Sequence, residues 1–259
     1  MTPALRLLLL PVILLALTQH VYSQKKKEEF FYAYDENWKG TTLEHAVYIE
    51  HVQKFSDTCW QWDTYNLWGP MIKSEQYKDK EGSIPHGRFA FYNESGRIDS
   101  LTRFRNNLAE GSWFYFNDTA KVILQKNYAN GKLIRTIDYL KTDSLNELVK
   151  PDTSIKTFTK IEVESEFKGG AGSWRSFLEK NIRYPDRALS AEKQGTVHVW
   201  FVVDKEGNVS DATIFISVEY SLDEEALRII NRSPRWTPAI QNGRQVRSYK
   251  RQPIMFGLK

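Results

Sequence analysis

The chain has 259 residues, enough for two small domains, and a formal net charge of +4 that is too mild to imply nucleic acid. Aromatic residues make up 14 %, with eight Trp, which favours short aromatic strands over a helical bundle. One cysteine, Cys59, excludes an intramolecular disulfide and any metal site built on paired thiolates. A small buried hydrophobe is its expected state.

Residues 1–23 read as a cleaved signal peptide. Arg6 precedes an apolar run from Leu7 to Leu17, and Val21 and Ser23 stand at the small-residue positions before a cut ahead of Gln24. The run is shorter than the roughly 20 apolar residues that a spanning helix needs. Contact with a membrane is therefore expected only if this segment is retained. Lys25 to Glu29 form a charged stub.

Residues 24–140 read as β-rich and contain an internal repeat. Gly87, Phe91, Tyr92, Asn93, Gly96, Arg97 and Phe104 recur 24 positions later as Gly111, Tyr115, Phe116, Asn117, Ala120, Lys121 and Tyr128. A weaker copy, Tyr65, Asn66, Gly69, Met71 and Tyr77, precedes them. An aromatic strand, an Asn/Gly turn and a second strand make one hairpin per repeat, and such hairpins must stack to bury enough surface. The pattern resembles MORN-type repeats over about 63–133. Ala120 stands where the other copies have glycine, so that turn is expected to differ. Trp113, Tyr115 and Phe116 sit at strand positions that suit a repeat core better than a sugar or peptide site. Residues 30–62, including Ala46–Gln53, are expected to add a strand or two that close one end.

From 141 to 160 the composition turns polar, with Pro151-Asp152 and scattered Ser, Thr and Lys, which reads as a linker. A second domain is expected over 161–259. Trp174, Phe177, Leu178 and Ile182 fall at helical spacing, giving a helix over Ser173–Ile182 with Ser173 as its cap and Tyr184-Pro185 as its end. Gly169-Gly170-Ala171-Gly172 before it reads as a flexible entry. Thr196–Val203 and Val209–Val218 alternate as a hairpin about Gly207-Asn208, with Val197, Val199, Phe201 and Val203 on one buried face. Ser221 and Glu224 have capping-box spacing ahead of a stripe of Leu222, Ala226, Ile229 and Ile230. Asn242-Gly243 should join a strand at Trp236–Ile240 to a longer one at Gln245–Phe256. The fold class is α+β: an N-terminal antiparallel hairpin-repeat domain, then a small antiparallel sheet carrying two helices on one face.

The ordered set Phe167-Lys168-Gly169-Gly170, Tyr184-Pro185, Gly195, Gly207, Leu222 with Ala226-Leu227, and Trp236-Thr237-Pro238-Ala239 resembles the TonB C-terminal domain. The resemblance spans roughly 166–257. It implies a periplasmic or envelope-associated binding module of a Gram-negative bacterium, whose final strand lies at a sheet edge and pairs with an extended peptide, the TonB box of an outer-membrane receptor. Carried over by position, the partner-binding residues are Gln245, Val246, Arg247, Ser248, Tyr249 and Lys250. Their polar and basic side chains equally suit protection of an edge from aggregation. Two other readings stand beside it. One is an energy transducer of nutrient transport anchored by its N-terminal segment. The other is a structural protein that binds peptidoglycan or a second copy of itself. An energy transducer of this family has a spanning helix and a long Pro-rich spacer, and the nine prolines here are spread thinly.

No G-x-S-x-G, H-E-x-x-H, P-loop or paired-Cys motif is present, so no catalytic residue, cofactor or metal site is expected. His45, His51, His86 and His198 lack ligand spacing. His198, within a strand and opposite the Val197 face, reads as a packed or surface residue.

Overall fold

The computed structural model describes residues 28–141 and 162–258. The expected signal peptide and nearly all of the expected linker lie outside the described residues. No helix among the described residues is long and apolar enough to cross a membrane.

The N-terminal part is one antiparallel meander. Its strands are β1 (Glu29–Tyr34), β2 (Tyr48–Ser56), β3 (Cys59–Asn66), β4 (Met71–Tyr77), β5 (Pro85–Tyr92), β6 (Ile98–Arg105), β7 (Leu108–Ala109), β8 (Gly111–Phe116), β9 (Val122–Ala129) and β10 (Lys132–Asp138). They form a ten-stranded sheet in chain order, with the short β7 paired to β6 off the main path. β1 and β2 are the strands expected at one end.

The three hairpins β3–β4, β5–β6 and β8–β9 follow the sequence period, and they join edge to edge in that single sheet. In two of them the same turn recurs. The Asn93 side chain accepts from the amides of Ser95 and Arg97 at 3.0 and 3.1 Å, and Asn117 accepts from Thr119 and Lys121 at 3.0 and 3.0 Å. Asn tolerates this local capping, which mimics a backbone turn. The expectation that the last turn would differ is corrected: Ala120 takes φ +56°, the same left-handed region as Gly96 at +72°. The asparagine and the main-chain bonds around it hold the turn despite the methyl group.

Aromatic side chains run in a row across one face of this sheet. Trp62, Tyr77, Phe89, Phe104, Trp113 and Tyr128 follow one another with ring centroids 4.5 to 6.0 Å apart. Trp113 thus packs within the repeats, as its strand position suggests. Cys59 is buried.

The C-terminal part contains β11 (Glu166–Phe167), α1 (Gly170–Asn181), α2 (Asp186–Ser190), β12 (Gly195–Val203), β13 (Val209–Ile216), α3 (Tyr220–Asn231), β14 (Trp236–Thr237), β15 (Ala239–Gln241), β16 (Arg244–Val246) and β17 (Ser248–Phe256). The central sheet has the order β13-β12-β17, all antiparallel. Val197, Val199, Phe201 and Val203 are fully buried on one of its faces, together with Leu222, Ala226, Ile229 and Ile230 of α3. Period 2 in the strand and period 3.6 in the helix place both stripes on one seam.

Both helix starts differ from expectation. α1 begins at Gly170, so the glycine run forms its first turn and not a flexible entry; Gly169 caps it at φ +89°, a conformation open to glycine. In α3 the cap is Glu219, whose carboxylate accepts from the Ser221 amide at 2.9 Å. That carboxylate is fully buried and also binds Arg187 at 2.6 Å, which leaves Ser221 and Glu224 without the capping role.

The two parts share one hydrophobic cluster. Phe114 and Phe116 of β8 meet Trp200 at 5.9 and 6.0 Å, and Phe116 meets Phe215 at 5.6 Å. Polar contacts reinforce the seam. The Tyr92 hydroxyl donates to the Ile214 carbonyl at 2.7 Å, the Met71 amide donates to Ser217 Oγ at 2.7 Å, and Arg88 donates to the Asp211 and Ala212 carbonyls. The small sheet therefore has α3 on one face and the large sheet on the other.

Candidate partner-binding edge

A three-stranded sheet has two edges. β13's edge is tied to the large sheet: Ile216 bridges Arg97, and the Ser217 amide donates to the Gly96 carbonyl at 2.8 Å. β17's outer side has no strand partner among the described residues.

The backbone parity of β17 follows from one residue. Its register against β12 runs without a shift from Ser248↔Val203 to Phe256↔Gly195 and pairs Pro253 with His198. Proline has no amide to donate, so this must be a position whose main-chain groups point away from β12. Tyr249, Arg251 and Met255 share its parity and direct their amides outward. Ser248, Lys250, Gln252, Ile254 and Phe256 direct theirs to β12. Side chains alternate with the same period, so the inward set includes the buried Ser248, Ile254 and Phe256.

Five of the six residues predicted for binding fall on two strands, and Arg247 lies between them. The expected continuous strand Gln245–Phe256 is broken at Arg247: β16 pairs β15 through the Asn242-Gly243 turn, and the chain then changes partner to β12. Gln245 is exposed and Val246 buried, both in the β15–β16 hairpin. Arg247 reaches Asp211 at 2.9 Å from the break. Ser248, Tyr249 and Lys250 open β17. Ser248 Oγ lies 3.5 Å from Ser165 Oγ, and Lys250 pairs with Glu164 at 3.3 Å, so residues 164–165 run alongside this end. Tyr249 packs on Trp200 at 4.5 Å, and burial pushes its phenol pKa up.

The stretch beyond Lys250 is the more open one. Arg251 and Pro253 are exposed, and Met255 is 77 % exposed. Pro253 and Met255 lie beyond the residues carried over by position; the proline within a strand was the signal that could have located them. His198, opposite Pro253, is half-buried with Nδ1 unpartnered, and burial, with Arg251 next, lowers its pKa. This packed environment agrees with its sequence reading.

The support for this edge comes from the other side of the small sheet. Gly207 turns β12 into β13 at φ +84°, and its carbonyl accepts from the Trp236 amide at 2.8 Å. Trp236 in turn contacts Phe201 at 5.0 Å, Phe167 at 5.5 Å and Trp174 at 5.6 Å. Residues scattered over the resemblance thus converge on one cluster.

Residues 180–258 match the family described as Gram-negative bacterial TonB protein C-terminal. The match covers β12, β13, β17, α2 and α3, and begins within the last turn of α1. This part of the chain is similar to a TonB C-terminal domain. No curated protein and no solved structure matches the chain. TonB C-terminal domains are protein-interaction units, and among the described residues this sheet leaves β17 as the edge without a strand.

Proposed function

We propose that the protein is a cell-envelope adaptor whose TonB-type domain binds an extended segment of a partner by strand addition along β17. The observation that carries this reading is the asymmetry of the two edges: β13 is tied to the large sheet at Gly96 and Arg97, whereas β17 has no strand beyond it among the described residues. Outward amides at Tyr249, Arg251 and Met255 would supply the ladder. The Gln245–Lys250 stretch would guide one end of the guest. The partner class is an outer-membrane receptor of the TonB-dependent type or another envelope protein. The repeat domain, of MORN type, holds the module by its back face. The role is binding without catalysis, in the periplasm or at the envelope, and a mature protein starting at Gln24, read by intact mass from the native host, would accord with export through a cleaved leader.

Proline substitution separates binding from folding. Arg251→Pro removes an outward amide, and Gln252→Pro removes an inward one. The first should keep the thermal transition near wild type and lose binding to a TonB-box peptide. The second should cost about 1–3 kcal/mol, because it breaks a ladder bond and strands a carbonyl. Wild-type peptide affinity in Arg251→Pro would count against strand addition on this edge.

A further inference from the structure

The fold brings together three metal-ligand side chains that lie far apart in the sequence. His51 on β2 and Asp63 on β3 are directly opposite one another in the strand register. Glu224 comes from α3. One ligand atom from each lies within 4.8 Å of the others. His51 and Asp63 are each 1 % exposed, and Glu224 is half-buried.

The surroundings suit a cation. Phe31 stacks on the His51 ring at 4.4 Å, and Tyr220 and Tyr65 meet edge to face at 5.4 Å, so aromatic rings pack around the three groups. Carboxyl groups from both halves of the chain, Asp63 and Glu224, therefore meet the His51 ring in one small, largely buried volume.

The imidazole is also held as a ligand needs to be. Nε2 lies 3.1 Å from Glu29 Oε2, and Nδ1 lies 3.2 Å from the Tyr220 hydroxyl. Tyr220 and Glu224 are four residues apart on α3 and share a face. Coordination through Nδ1 leaves Nε2–H donating to Glu29, the carboxylate–histidine arrangement that fixes ring orientation and raises ligand basicity.

We propose that His51, Asp63 and Glu224 form a divalent transition-metal site, with Zn²⁺ the best match, that clasps the N-terminal sheet to helix α3. One imidazole nitrogen and two carboxylate oxygens suit Zn²⁺ and, less well, Mn²⁺ or Fe²⁺. Binding would stabilise the junction, because its ligands converge only in the folded chain.

The test uses the untagged full chain, stripped with EDTA and titrated with Zn²⁺ or Co²⁺ alone. Zn²⁺ should raise the melting temperature, and Co²⁺ should give visible d–d absorption that stoichiometric Zn²⁺ abolishes. Glu224→Gln should lose both responses. Glu29→Gln should weaken binding by about 10–100-fold as the loss of an orienting partner. His45→Gln, at an exposed histidine, should respond as wild type does. If Glu224→Gln does not fold, nitrogen-15 spectra of the wild-type imidazoles decide, since Zn²⁺ should shift His51 alone among the histidines. No thermal shift and no Co²⁺ band at millimolar metal would overturn the site. So would an undiminished response in folded Glu224→Gln, or Zn²⁺ shifts at other histidines with His51 unmoved.

Discussion

Phe116→Ala is expected to destabilise the whole chain by about 3–5 kcal/mol, the usual range for a buried aromatic cut to alanine. Phe116 is 6 % exposed and belongs to the N-terminal sheet, yet its ring contacts are Trp200 and Phe215 of the C-terminal sheet. Its loss opens a cavity in the seam and not in either separate core. The effect should therefore appear in the unfolding of both halves. Chemical denaturation followed by tryptophan fluorescence and by far-ultraviolet dichroism should show one coincident transition, moved to lower denaturant. A variant whose C-terminal transition stays in place would show that the halves unfold independently. The same reasoning bears on the division at 141–160, which we propose as a boundary in chain organisation. A fragment of 161–259 would keep the α3 seam but expose Trp200 and Phe215, and so should be less stable than the full protein.

Gly207→Ala is the second large effect. The left-handed conformation alone costs a non-glycine residue about 1–2 kcal/mol. An added Cβ would also stand on the carbonyl oxygen of Trp236, with that residue's carbonyl carbon only 3.2 Å away. Backbone cannot swing aside as a flexible side chain can. Relief would require moving the Trp236 strand, and with it the contacts to Phe167, Trp174 and Phe201. Thermal unfolding should show a loss larger than the conformational cost by itself, with tryptophan fluorescence altered in the native state. A melting temperature within a degree or two of wild type would mean that the β12–β13 turn is not locked against Trp236.

Much of this was legible in the sequence where one local period dominates. Val197 to Val203 and Leu222 to Ile230 carry clean stripes, and the structure buries both. Asn93 and Asn117 mark repeated turns because their side chains satisfy the turn locally. What escaped depends on partners distant in the chain. The break at Arg247 arises because the strand exchanges β15 for β12, and nothing in residues 245–250 encodes that exchange. Glu219 outcompetes Ser221 as a cap because Arg187, 32 positions away, fixes its carboxylate. His51, Asp63 and Glu224 show no ligand spacing because the third comes from a helix on the other side of the junction. The edge at Arg251–Met255 was half visible: Pro253 announces an outward position, but only the register with His198 says which residues share it.

Amide hydrogen exchange on β17, with and without a saturating TonB-box peptide, tests strand addition most directly. The proposed binding mode predicts that the amides of Tyr249, Arg251 and Met255 gain protection on binding. Those of Lys250, Gln252 and Ile254, already bonded to β12, should change little. Protection that appears elsewhere, with the outward amides of β17 exchanging as fast as before, would contradict it.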